Sequence, residues 1–373
     1  NLTSLPYLAD QLTVDQVYEK VVVDLESVLD SEVLPMKQPD EWAGRMTQAA
    51  ASMIYADYVM YQKDQSRYGK ALGYMKAIIN SHKYDLVKNY NDLYALDKEW
   101  NEEIIFDVNY IAKGGKRTWG DANFTGGTVY PEMIGIDGLT IKCAEGHTPE
   151  FTSGWGFGSV SKEVYDAFED NDRRRDVAIL NLDKYARAKF AEGDTVTYGG
   201  RYQNTGYFLR KYLPRPGDTE GSVGDAGLNH DENLHLYRYA ETLLNAAELA
   251  LATGDGLAQD YFDLVRERAG VASIPVTVDN IINERRLEFV GEGKRYFDLV
   301  RSGKAATVLK AGAGVVLRTK RTYNFDKNQW EGENTWGGQA IPERVDWTEN
   351  KKYIPIPQSE IEAAQGSITQ NPY

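Results

Sequence analysis

Residues Ile281 to Lys304 read Ile-Ile-Asn-Glu-Arg-Arg-Leu-Glu-Phe-Val-Gly-Glu-Gly-Lys-Arg-Tyr-Phe-Asp-Leu-Val-Arg-Ser-Gly-Lys. Glu284, Glu288 and Glu292 recur every fourth position, with Arg285, Arg286, Arg295 and Arg301 set among them. On a helix this spacing stacks the charges on one side and predicts Arg285–Glu288 and Arg295–Asp298 contacts one turn apart. Ile281, Ile282, Leu287, Phe289 and Val290 supply the apolar positions of an amphipathic helix. Gly291 and Gly293 break it, and Tyr296, Phe297, Leu299 and Val300 pattern a second, short helix. Interleaved arginines keep carboxylates ionised, whereas a general acid needs a raised pKa. The stretch therefore reads as a structural ion-pair network rather than as acid–base machinery.

The run Glu-Arg-Arg-x-Glu-Phe-x-x-Glu-Gly-x-Arg-Tyr-x-Asp-Leu-x-Arg resembles the C-terminal signature of the SusD/RagB family. Two more stretches share the resemblance: Leu236–Glu248 (Leu-Tyr-Arg-Tyr-Ala-Glu-Thr-Leu-Leu-Asn-Ala-Ala-Glu), and the ending Ile354-Pro-Ile-Pro with Gln370-Asn-Pro-Tyr. The resemblance implies a mostly helical fold, with tetratricopeptide-type helix pairs as scaffold, long irregular loops and a few short strands. It implies a lipid-anchored outer-membrane protein at the cell surface that captures a nutrient, mostly a glycan, without catalysis or cofactor. The partner it implies is a TonB-dependent outer-membrane transporter. In the family, the helix that Val17-Tyr18 opens lies well inside the protein. The chain is thus expected to cover about the C-terminal two-thirds of a typical member, with the anchor on the part that precedes it.

Composition narrows the classes of function. The 373 residues carry a formal net charge of −14 and no basic block, which argues against a nucleic-acid groove and against docking on an anionic membrane. No run approaches the length of a membrane-spanning helix. Cys143 is the only cysteine, excluding a disulfide within the chain and any multi-cysteine metal site. His82, His147, His230 and His235 are scattered without metal-ligand spacing, and no nucleophile elbow or phosphate-binding loop occurs. The 25 Tyr and 7 Trp exceed what a packed core usually needs.

Read in order, the chain is one domain with four parts. Residues 13–100 are helical. Thr13 with Gln16 forms a capping box for a helix whose stripe is Val17, Val21, Leu25 and Val28. Helices over Gly44–Tyr61 and Arg67–Asn80 form the first pair. Residues 101–230 are an insertion in which Glu103–Asn109 is a short strand. Tyr110–Phe157 and Gly193–His230 are irregular and Gly-rich, and Ser161 caps a helix to Phe168. Residues 231–304 hold a second pair, Asn233–Thr253 and Leu257–Ala269, and then the signature. In 305–373, Val315–Trp347 is loop-like, and Ser359 with Glu362 predicts a capping box for one last turn that Gly366 stops.

Long loops inside a domain usually carry function. A sugar offers an apolar face and a rim of hydroxyls, matched by flat aromatics beside polar side chains. Trp155, Trp119, Asn123, Phe124, Tyr130, Asp121 and Phe157 supply both kinds within one segment. Trp155 leads, because glycines on both sides would leave its ring accessible. Tyr202, with Arg201, Asn204 and Tyr207, forms a second group, and Trp330 and Trp336 a third that could instead face a partner protein. Peptide capture, as by some relatives, is an alternative ligand reading. A glycoside hydrolase is a further one, since one sequence does not show whether two carboxyls stand at a catalytic separation.

Overall fold

The computed structural model describes residues 11–121, 126–199, 204–311, 322–324, 327, 329–331 and 345–372. The first helix, α1 (Val14–Asp30), starts at Thr13, whose hydroxyl accepts the Gln16 N–H while the Gln16 side chain accepts the Thr13 N–H. Its buried line is Tyr18, Val22 and Leu29 with Leu25 partly covered, one position round from the expected stripe, and Val17 and Val28 face outward. Tyr18 shifts the register, because its ring buries while its hydroxyl reaches Asp64 at 2.9 Å. Helices α2 (Gln48–Gln62) and α3 (Tyr68–Asn80) follow, and Thr47 caps α2 three residues later than its composition suggests. Ala49, Ala50, Ala56 and Ala71 have no exposed surface, so small side chains let these helices approach closely.

Strand β1 (Ile104–Val108) opens the middle of the chain. Then come α4 (Tyr130–Ile134), β2 (Thr140–Lys142), α5 (Lys162–Asp166), α6 (Arg175–Ala178), β3 (Ile179–Asn181), α7 (Leu182–Ala191), β4 (Thr195–Thr197) and β5 (Tyr207–Leu209). The two Gly-rich segments are thus irregular only in part. Antiparallel pairs β2–β4 and β3–β5 tie them together. The expected Ser161 cap supplies no side-chain hydrogen bond.

Strand β6 (Leu234–Arg238) corrects the expected start of the second helix pair. Its residues pair antiparallel with β1, Asp107 standing opposite His235, and α8 begins only at Tyr239 (Tyr239–Thr253). Leu236 and Leu251 are exposed, whereas Tyr239, Leu243, Leu244 and Ala247 are buried. Helix α9 (Ala258–Ala269) completes the pair, and both helices end on a left-handed glycine, Gly254 and Gly270. The signature folds as α10 (Val278–Glu288) and α11 (Arg295–Arg301), followed by α12 (Ala305–Val308). A hairpin of β7 (Thr322–Asn324) and β8 (Gln329–Glu331) interrupts the stretch expected to be loop. The last helix, α13 (Gln358–Ala363), has no side-chain cap, and Ser359 lies inside it, so the expected capping box is absent.

One apolar core joins α1, α2, α3, α8, α9 and α10. A second gathers Tyr90, Tyr94, Ile104, Phe168, Tyr207 and Tyr212, and a third lies wholly between Ile136 and Leu213. The signature carboxylates sit where the first two cores meet. Arg174 donates to Glu284 at 2.6 Å and Glu288 at 2.8 Å, and Lys211 donates to Glu292 at 2.6 Å. Arg238 bridges Glu103, Glu288 and Glu292, and Arg268 bridges Glu103 and Glu288. The three glutamates therefore pair with cations of other elements, not along their own helix. Arg285 takes Asp298 and Glu241 instead of Glu288. Asp298 is shared by Arg285 and Arg301, while Nη1 of Arg295 has no hydrogen-bond partner among the described residues. Burial disfavours the charge on Glu292, yet Arg238 and Lys211 outweigh it and bring its pKa down to about 2. Glu288 is likewise held well below the carboxylate range by Arg268, Arg238 and Arg174 against the same burial.

Candidate functional site

Two loops bring three of the expected aromatics together. Thr118 and Asp121 exchange both backbone hydrogen bonds, at 3.0 and 3.1 Å, so Trp119 and Gly120 are the tip of a two-residue turn. The Trp119 N–H donates to the Asp225 carboxylate at 2.8 Å. Across from it, Trp155 and Phe157 are held by α4: their N–H groups donate to the carbonyls of Glu132 (2.8 Å) and Met133 (2.9 Å). Between them, the Gly156 N–H donates to Gly135 at 2.6 Å. The Trp119 and Trp155 rings lie 5.5 Å apart and tilted by 35°, and Trp155 and Phe157 lie 6.3 Å apart and nearly perpendicular at 78°. Trp119 is 68 % exposed and Phe157 57 %, with Trp155 half-buried between them.

Glycine acts here differently from the way its placement suggests. A Cβ on Gly154 would stand 2.5 Å from the Glu132 carbonyl and 2.6 Å from Gly135 Cα. The glycines beside Trp155 thus admit the α4 backbone rather than bare the indole, and the outer rings are the more exposed. Asp121 is exposed and closes the Trp119 turn. Tyr130 turns away from the three rings. It packs edge-on against Tyr212 at 5.4 Å, and its hydroxyl points at the Gly291 carbonyl at 3.5 Å. Asn123, Phe124, Tyr202, Arg201 and Trp336 lie outside the described residues, as does the side chain of Trp330. Tyr207 and Asn204 are buried, and Asn204 donates to the Tyr198 hydroxyl at 3.1 Å.

Asp225, Asn229 and the carbonyls of α4 do not stand out in the sequence, yet they hold the rings. The one signal for them is the density of glycine at 114–127 and 220–227, which marks two backbones in close approach. Glu232 is buried, one of its carboxylate oxygens has no hydrogen-bond partner among the described residues, and burial lifts its pKa to about 8. Burial, with Asp231 and Asp107 nearby, lifts Glu99 to about 7. His235 donates to Asp107 at 3.0 Å and to the Leu93 carbonyl at 2.7 Å. Burial opposes its charge, but Asp107 prevails and raises its pKa to about 9. Among the described residues no group of three or more His, Cys, Asp or Glu side chains is arranged to hold a metal ion.

The fold is a helical scaffold with an inserted lobe of short strands and loops that bears exposed aromatics, joined to it by a buried Arg/Glu network. The chain belongs to the SusD family, whose model matches residues 102–373. The chain is 43% identical to surface glycan-binding protein A from Bacteroides thetaiotaomicron, with a TM-score of 0.82 over 97% of this chain and 71% of that one. The structure of that protein in complex with laminarihexaose superposes equally well, at 0.82 over 98% and 72%. A laminarin-binding SusD-like protein is 29% identical, with a TM-score of 0.75 over 97% and 70%. Among curated proteins, a SusD-like protein of Bacteroides ovatus is 23% identical over 86% of this chain and 55% of its own length. The chain thus spans little more than half of that relative. No described helix is long and apolar enough to cross a membrane.

Proposed function

We propose that the chain is the glycan-binding part of a cell-surface receptor, and that Trp119, Trp155 and Phe157 form the platform on which a laminarin-type glucan stacks. The observation that carries this reading is the exposed three-ring surface, preset by backbone hydrogen bonds on two loops. Its shape supports the choice of glycan. Successive rings turn by 35° and then by 78°, which suits a β-1,3-glucan that coils and not a flat β-1,4-linked ribbon. The relative crystallised with laminarihexaose supports the same choice. Asp121 at the rim supplies a hydroxyl acceptor.

Binding proceeds without turnover. The carboxylates that spacing singles out, Glu284, Glu288 and Glu292, are buried beneath arginine and lysine, and Glu288 and Glu292 are held in the state opposite to a general acid. Family membership supports delivery to a TonB-dependent transporter and attachment to the outer membrane through a lipid as further parts of this reading.

Isothermal titration with laminarihexaose tests the reading. Trp119→Ala and Trp155→Ala should each weaken binding roughly five- to tenfold, the order of one stacking contact of ~1 kcal/mol or slightly more. Cellohexaose should bind more weakly than laminarihexaose, and neither should be shortened on prolonged incubation. Unchanged affinity in both tryptophan variants would move the site elsewhere, and shortened products would overturn binding without turnover.

A further inference from the structure

We propose that Asn229 is the positioning residue of the aromatic platform, a buried peg that sets where Trp119 stands. The proposal rests on the reading of that platform as a glycan site for its effect on affinity, but not for its effect on ring geometry. Asn229 has no exposed surface. Its amide NH2 donates to the Arg117 carbonyl at 3.0 Å and to the Asp225 carbonyl at 2.8 Å. These are the two supports of the Trp119 turn: Arg117 lies two residues before the indole, and the Asp225 side chain accepts the indole residue's own N–H. The Asp225 N–H closes the square by donating to the same Arg117 carbonyl at 2.9 Å.

The rest of the pocket fits the amide and little else. Oδ1 of Asn229 lies over Gly115 and Gly126, where a Cβ would come within 2.5 and 2.6 Å of it, and it has no hydrogen-bond partner among the described residues. A Cβ on Gly127 would strike the Asn229 backbone, and one on Gly224 would strike the Arg117 carbonyl. Two carbonyl oxygens meeting at one point need a donor with two hydrogens there, which a primary amide supplies and a carboxylate of the same shape does not. Trp155 and Phe157 hang from α4 on separate hydrogen bonds, so Asn229 controls one side of the platform only.

Asn229→Asp keeps the shape and replaces the two donated hydrogens with an acceptor facing two acceptors. Two readouts separate positioning from general stability. Indoles at 5.5 Å couple their transitions, so Trp119 and Trp155 should give an exciton couplet in far-ultraviolet circular dichroism, with Trp155→Ala as its blank. Asn229→Asp is expected to lose that couplet while keeping the helical signal, and to weaken laminarihexaose binding roughly tenfold. Should it fail to fold, Asp225→Ala breaks the same support at its half-exposed end and is expected to do likewise. A retained couplet with unchanged affinity in a folded Asn229→Asp variant, or in Asp225→Ala, overturns the proposal. A lost couplet with unchanged affinity upholds the positioning role and overturns the glycan reading of the platform.

Discussion

Arg238 shows how much a single side chain can hold. Its guanidinium contacts the carboxylates of Glu103, Glu288 and Glu292 and the Glu288 carbonyl, all out of water. Arg238→Ala removes the cation and leaves buried carboxylates facing each other, so a loss of about 3–5 kcal/mol in urea unfolding is expected. Arg295→Ala serves as the contrast. Arg295 is half-buried beside Arg286, which together with burial lowers its pKa, and its removal should cost less than about 1 kcal/mol. The every-fourth-residue glutamates made a charged network readable in the sequence. Its true partners, Arg174, Lys211 and Arg238, were not, because nothing local marks which distant cation reaches a buried carboxylate. The same holds at the candidate site. Trp119, Trp155 and Phe157 were readable as aromatics in irregular chain, but Tyr130 from the same segment packs on Tyr212, and irregular chain has no period to tell the two fates apart.

Elements position the platform through backbone contact, and α4 is the one that matters most. Five residues long, it offers its carbonyls to Trp155 and Phe157 while Gly154 lies against Glu132 and Gly135. Gly154→Ala places a methyl 2.5 Å from the Glu132 carbonyl, so one of the two backbones must move. Laminarihexaose affinity should fall roughly tenfold with the helical signal unchanged, measured by titration; wild-type affinity would show that α4 does not set the rings. One helix end with local chemistry was legible, the Thr13–Gln16 box. The start of α8 was not. Leu234–Arg238 satisfies a helical stripe as well as a strand does over five residues, and what decides is pairing with β1, far away in sequence. The outward face of α1 was misassigned for a related reason: Val17 and Val28 fit the helical period, but Tyr18 buries the larger surface and takes the core side.

Across the molecule, stability should depend on pH in a direction set by the junction of scaffold and lobe. Glu232, Glu99 and His235 all keep protons in the folded state that the unfolded chain releases, with pKa values raised to about 8, 7 and 9 from ordinary values of 4.5, 4.5 and 6.5. The stability each supplies is complete below its unfolded pKa and is lost as pH rises through its folded one. Glu292, depressed to about 2, works the other way, its contribution being lost as pH falls below 4.5. Lys211, burial having lowered it from 10.5 to about 8, returns stability only above pH 8. The melting temperature should therefore be greatest near pH 5 and fall toward pH 8, then change less as Lys211 opposes His235. Glu232→Gln keeps a neutral side chain at every pH and removes one strongly raised carboxylate. Its melting curve should fall less steeply than that of the wild type between pH 5 and 8 and cross above it near pH 8. Parallel curves from scanning calorimetry would mean that Glu232 is ionised in the folded protein and that the junction draws its proton linkage from Glu99 and His235 alone.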